Sequence, residues 1–139
     1  NILDLFSGVG SFGLECLSRG AKNVTFLESY TDVLSVLKKN IDNLNQQNQT
    51  KVIEKDIFSE NTLKLLNDKF DIIFMDPPYK EKKLFILLNI ITKLKLLNTD
   101  GVIIIHRHKK EEEDFPKEFN LILKKNYGIS KIIFGDILT

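Results

Sequence analysis

The sequence predicts an α/β fold: a mostly parallel, doubly wound sheet closed at one edge by an antiparallel hairpin near the carboxyl terminus. Three observations carry this expectation. Short apolar, β-branched runs alternate with amphipathic stretches along the chain, and the first run opens through a glycine turn onto a helix. The last two runs are separated by only a few residues around Tyr127-Gly128, too few for a parallel crossover. At 139 residues the chain is expected to form a single domain, 1–139.

The elements follow in order. Residues 2–6 read as a strand, 7–10 as a glycine turn, 12–18 as a helix stopped by Gly20, and 23–27 as a second strand. Thr31 or Asp32 is expected to cap the next helix, which runs to about Leu44 with Val33, Leu34, Leu37, Ile41 and Leu44 on one face. The Asn/Gln-rich residues 40–49 read as a helix end and loop, and 51–55 as a third strand. Ser59 or Asn61 opens a short helix to Leu66, 70–75 form the fourth strand, 83–96 a helix, and 101–105 the fifth strand. Residues 119–125 and 129–134 are the two strands of the hairpin. Ligands of such a sheet sit at the carboxyl ends of its strands.

Composition narrows the class of protein without naming it. There are 20 Lys and Arg residues against 19 Asp and Glu, so net charge does not announce a nucleic-acid partner. No apolar run approaches the roughly 18 residues needed to span a bilayer, and no signal peptide is visible, so a cytoplasmic protein with no membrane partner is expected. The single Cys16 excludes an internal disulfide and reads as a small buried thiol. A monomer is expected, and because the chain begins at Asn1 inside a strand-like pattern, so is an upstream segment.

Two stretches carry chemistry. The first is Asp4-Leu5-Phe6-Ser7-Gly8-Val9-Gly10-Ser11-Phe12-Gly13, placed between a strand and a helix. Glycines there permit positive φ and close approach of backbone to ligand, and the helix N-terminus offers free N–H groups. Glu28 follows Gly8 by 20 residues, at the end of the second strand, where an acid can bind a ribose diol. The combination implies a nucleoside-containing cofactor, either a dinucleotide or S-adenosylmethionine. Asp4 favours S-adenosylmethionine, because a carboxylate before the glycines can meet an ammonium group, whereas a pyrophosphate has no use for one. Asp56 and the apolar Ile57 and Phe58, after the third strand, are candidates to bind and pack an adenine; Asp56 also reads as an ordinary helix cap.

The second stretch is Asp76-Pro77-Pro78-Tyr79, which ends the run 70–75. Both prolines lack an N–H and fix φ, so the strand stops and the loop stiffens. It holds a carboxylate beside an aromatic face, an arrangement suited to a planar amine. The exocyclic amine of a nucleobase is a poor nucleophile because its lone pair delocalises into the ring. N–H donation to the Asp76 carboxylate and the Pro77 carbonyl lets the nitrogen pyramidalise, while Tyr79 stacks on a base taken out of its helix.

Asp4-x-Phe6-x-Gly8-x-Gly10 together with Asp76-Pro77-Pro78-Tyr79 resembles the Rossmann-like amino-group methyltransferases that use S-adenosylmethionine. More narrowly, residues 3–21 (Leu-Asp-Leu-Phe-Ser-Gly-Val-Gly-Ser-Phe-Gly-Leu-Glu-Cys-Leu-Ser-Arg-Gly-Ala), Val24-Thr-Phe-Leu-Glu28 and Phe74-Met-Asp-Pro-Pro-Tyr79 resemble the RsmD family. Its members are bacterial methyltransferases of guanine N2 in small-subunit ribosomal RNA. The resemblance implies a class I methyltransferase fold, S-adenosylmethionine as cofactor, and ribosomal RNA or the assembling small ribosomal subunit as partner. It assigns Asp4, Phe6, Gly8 and Gly10 to the cofactor's amino acid end, Glu28 to its ribose, Asp56 and Ile57 to its adenine, and residues 76–79 to the guanine.

The chain departs from the family pattern in two places. The family's amino-terminal basic hairpin and helix are missing, and the fifth strand ends in His106-Arg107-His108, where the family often has an acid. Two histidines cannot fill a metal site by themselves, so no metal is expected. Arg107, Lys109 and Lys110 read as part of a solvated loop, with RNA phosphate contact as the other reading. For Lys80, Lys82 and Lys83, RNA contact and simple solvation both stay open. An adenine-N6 methyltransferase of DNA or RNA, a protein-glutamine methyltransferase, a non-catalytic nucleoside-binding module and a nicotinamide-dependent oxidoreductase remain alternatives.

Overall fold

The computed structural model describes residues 1–138. Seven strands form one sheet: β1 (Ile2–Leu5), β2 (Val24–Leu27), β3 (Thr50–Ile53), β4 (Phe70–Met75), β5 (Leu97–His108), β6 (Phe119–Tyr127) and β7 (Ser130–Ile137). Their order across the sheet is β3-β2-β1-β4-β5-β7-β6. The first five are parallel, and β7 enters antiparallel between β5 and β6. The antiparallel closing hairpin lies at that edge, as expected.

β1 is the centre, with Leu3 paired to Thr25 on one side and to Ile73 on the other. All four of its residues are buried, the signature of a strand covered on both faces. Helices α1 (Ser11–Ser18) and α2 (Thr31–Asn43) pack on one face through Leu17, Leu34, Leu37 and Ile41 against Val24 and Phe26. Helices α3 (Glu60–Lys64) and α4 (Leu84–Lys93) cover the other, where Leu63, Leu87, Leu88 and Ile91 meet Leu3, Leu5, Ile73 and Ile103. No helix among the described residues is long and apolar enough to cross a membrane.

Some boundaries move from their sequence-based positions. The cap of α2 is Tyr30, in extended conformation with no side-chain hydrogen bond, so neither Thr31 nor Asp32 caps it. Both already lie in the first turn, where the negative charge of Asp32 still suits the helix dipole. Helix α4 ends at Lys93, because Lys95 turns left-handed at φ 53. The largest change is β5, twelve residues where five were expected. At its start Leu97 pairs with Phe70 before a register irregularity, and at its end Arg107 and His108 continue along β7 opposite Lys131 and Ser130. That continuation carries the strand past the end of β4 and alongside the loop that follows it.

Candidate active site

The turn after β1 reverses the chain with three left-handed residues: Phe6 at φ 59, Gly8 at φ 54 and Gly10 at φ 88. Phe6 is strained there, as residues at functional sites often are, and its ring packs 5.6 Å from that of Phe58. The glycines serve different ends. A Cβ on Gly8 would meet nothing within 4 Å, so its backbone faces open space. A Cβ on Gly10 would lie 2.4 Å from Leu37 Cδ1, and one on Gly13 2.4 Å from Phe26 Cε1. Gly13 therefore lets α1 lie close against β2 and belongs to the packing.

Asp4, on β1, is 2% exposed. The Gly13 N–H donates to its Oδ2 at 3.1 Å, so the strand below caps a helix whose own cap residue, Gly10, has no side chain to offer. Burial pushes the Asp4 carboxyl up from 3.8 to about 7, against the pull of the Gly13 N–H and with help from the charges of Asp76 and Glu28. Glu28 accepts the Gly8 N–H at 2.8 Å on one oxygen, and those of Ser29 and Tyr30 at 2.9 and 3.2 Å on the other. It ties the end of β2 to the turn after β1.

Two adjoining cavities open at the carboxyl ends of these strands. One, of about 450 Å³, is lined by Asp4, Gly8, Phe12, Phe74, Asp76 and His106. The next, of about 510 Å³, reaches Glu28 and Tyr30 on one side and Pro77, Pro78 and Tyr79 on the other, and shares Phe6, Gly8, Asp76 and His106 with the first. Phe12 and Phe74 stack at 3.9 Å and form an apolar wall of the first cavity. The structure thus brings Asp4, Phe6, Gly8, Glu28 and Asp76–Tyr79 around one connected space. Gly10, the cap residue of α1, lines neither cavity. Asp56 and Ile57 line neither cavity: the Asp56 carboxylate is exposed and accepts the Phe58 N–H at 3.1 Å, and Ile57 is 3% exposed within the core.

The loop after β4 is held from outside. Arg107 is 2% exposed and lies beneath it, donating to the carbonyls of Pro78 at 3.1 Å, Tyr79 at 3.4 Å and Glu81 at 3.2 Å. Glu113, itself buried, lies 3.7 Å from the Arg107 guanidinium and 2.8 Å from the Lys131 ammonium, and Glu111 adds a longer contact at 3.9 Å. Neither sequence-based reading of Arg107, solvated loop or RNA phosphate contact, survives this. The strand continues through residue 107, and its alternation places Arg107 on the same inner face as the buried Ile103 and Ile105. That alternation was visible in the sequence; where β5 ends was not. On the other face, His106 Nδ1 lies 2.8 Å from Asp76 Oδ1, and the Tyr79 ring meets His108 edge-on at 5.5 Å. Tyr79 is otherwise half exposed, leaving its ring available to a flat partner. Of the nearby lysines, Lys83 lies over the Phe58 ring at 5.3 Å and Lys82 lies 3.8 Å from Glu111.

A mostly parallel sheet in this order, a glycine turn tied to buried acids, and an Asp-Pro-Pro-Tyr loop across the cavity define a Rossmann-like methyltransferase of class I. Comparison with known proteins narrows this. The family model described as conserved hypothetical protein 95 matches residues 1–136, and the chain belongs to that family, the RsmD family of the sequence resemblance. The ribosomal RNA small subunit methyltransferase D of Buchnera aphidicola is 36% identical over 127 residues, 88% of this chain and 63% of that protein. The Bacillus subtilis protein YlbH is 32% identical over 134 residues, covering 94% of this chain and 72% of YlbH. Among solved structures, a Haemophilus influenzae protein described as a methylase superposes with a TM-score of 0.85 at 31% identity, over 100% of this chain and 87% of that one.

Proposed function

We propose that this protein transfers a methyl group from S-adenosylmethionine to the exocyclic N2 amine of a guanine in small-subunit ribosomal RNA. The observation that carries the reading is the pairing, across one space, of a buried carboxylate, Asp4, with the Asp76-Pro77-Pro78-Tyr79 loop. The residues present fit the cofactor. Asp4 faces the cavity with one N–H partner and is costly to ionise alone, so a cationic ammonium is the complement it lacks. Glu28 lines the second cavity and is the carboxylate proposed for the ribose diol, and the open space at Gly8 admits close backbone approach. Asp56 and Ile57, which line neither cavity, stay candidates for the adenine just after the end of β3.

Bound there, the cofactor supplies an electrophilic methyl group. The Asp76 carboxylate and the Pro77 carbonyl accept the N–H bonds of the amine, localise its lone pair and stabilise the positive charge that develops on nitrogen. Tyr79 stacks on the base and fixes its plane. The reading is tested by Asp76→Ala in the full-length chain, with methyl incorporation into unmethylated small ribosomal subunits and calorimetry of S-adenosylmethionine binding. Transfer is expected to fall at least about a hundredfold with cofactor affinity nearly unchanged; loss of both together would make Asp76 structural. Nucleoside analysis of the product separates N2-methylguanosine from N6-methyladenosine, the product of the rival reading.

A further inference from the structure

We propose that His106 is a positioning residue that sets the orientation of the Asp76 carboxylate, an inference that rests on the methyl-transfer reading above. The register of the sheet creates the contact: Met75 pairs with Ile105, so the next residue of each strand, Asp76 and His106, meet at the point where β4 stops and β5 runs on. Three hydrogen bonds from Arg107 hold the backbone of the loop. What remains free is rotation of the Asp76 side chain, which is 51% exposed. Among the described residues His106 is its one hydrogen-bond partner, with Nδ1 2.8 Å from Oδ1.

The chemistry of the pair fixes its direction. A carboxylate accepts and does not donate, so the ring nitrogen facing it carries the hydrogen. Oδ1 is thereby engaged by the ring, and Oδ2, with no partner among the described residues, is the oxygen more open to the amine of the substrate. The ring of His106 lines both cavities, so the same bond that holds Asp76 also shapes the wall against which a base would settle. Without it the carboxylate has two equivalent oxygens and no preferred plane. An amine that must be gripped in one geometry to react would meet the right one only part of the time.

The test uses the full-length chain with His106→Ala, His106→Phe and His106→Asn, whose amide N–H falls near the place of the imidazole Nδ1–H. Alanine and phenylalanine are expected to lower kcat about 10- to 100-fold, with KM for cofactor and for unmethylated small subunits within about twofold. Asparagine is expected to recover kcat to within about threefold of the parent. Wild-type kcat in His106→Ala overturns the proposal. So does a well-folded His106→Asn as inactive as His106→Ala, which would make the imidazole itself a proton carrier, and so does a weakened cofactor affinity with kcat intact. A nitrogen-15 spectrum of the imidazole needs no turnover: Nδ1 is expected to carry the hydrogen and to shift in Asp76→Asn, and a bare Nδ1 overturns the proposal. An inactive parent protein that still gives this spectrum would defeat the methyl-transfer reading and leave the contact standing.

Discussion

The turn after β1 and the loop after β4 face each other across the same cavities, yet they are held in opposite ways. The turn is shaped by residues close in sequence: left-handed Phe6, Gly8 and Gly10, a cap from Asp4 nine positions before Gly13, and Glu28 at the end of the next strand. Acids hold it by accepting backbone N–H groups. The loop after β4 has only a little internal support, the Glu81 N–H donating to the Pro78 carbonyl at 3.0 Å and the Lys83 N–H to the Glu81 carboxylate at 2.9 Å. A cation from far along the chain, Arg107, donates to its carbonyls and lies beside Glu113, a carboxylate that Lys131 also pairs. One side of the site is self-shaped and acid-held; the other is shaped by its neighbour and cation-held.

The largest break in that contrast comes from Arg107→Ala. It takes the guanidinium from three carbonyls, of which only Pro78 keeps another donor, the Glu81 N–H, and removes one of the two cations beside the buried Glu113, so unfolding in urea is expected to show a loss of about 3–5 kcal/mol. A loss under about 1 kcal/mol would mean that the loop supports itself. Gly13→Ala strikes the other side. Its Cβ would come within 2.4 Å of the Phe26 ring and 2.8 Å of Val24 Cγ1, and about 1–3 kcal/mol of stability should be lost as α1 is lifted from β2.

Asp4→Asn sharpens the contrast without breaking it, because the amide oxygen still accepts the Gly13 N–H. The folded carboxyl titrates at about 7 against 3.8 for the free group, so the folded state holds this proton more tightly than the unfolded one. Its contribution to stability is therefore full below about pH 4 and lost as pH rises to about 7. Urea titrations across that range should show this slope in the parent and not in the variant. Affinity for a cationic cofactor runs the other way, rising with pH through about 7 in the parent, and calorimetry should find it weaker and flatter in Asp4→Asn. The smallest effect is expected from Lys82→Ala, at the rim of the clamp, whose ammonium is 3.8 Å from Glu111 and largely exposed; less than about 1 kcal/mol should be lost in urea.

The same contrast explains what could be read in advance. The alternation of strands and helices and the closing hairpin follow from local pattern and short connections, and β4 appears at the residues its pattern marks, because an apolar run ended by two prolines has one interpretation. The glycine turn was legible for the same reason, although spacing alone did not separate Gly8, open to a ligand, from Gly13, closed by Phe26. Arg107 was not legible. Its partners are carbonyls some 26 to 29 residues earlier and a glutamate inside an acidic run, Glu111–Asp114, that has the composition of a solvated loop. Burial turned one of those acids, Glu113, inward, and no periodicity in an irregular segment announces that.

The strand order also divides the sheet into two runs, each drawn from one stretch of the chain. Strands β3-β2-β1 come from residues 2–53 and β4-β5-β7-β6 from residues 70–137, and the two sets are hydrogen-bonded along one line only, β1 against β4. Asp4 and Glu28 stand on one side of that line, Asp76 and His106 on the other. The gauge between the two walls of the cavities is thus the register of a single strand pair, four residues long, that ends with Leu5 beside Met75. A slip of one residue there would displace one wall by about 3.3 Å and turn its side chains to the opposite face. That is about the whole distance over which two reacting atoms must be held.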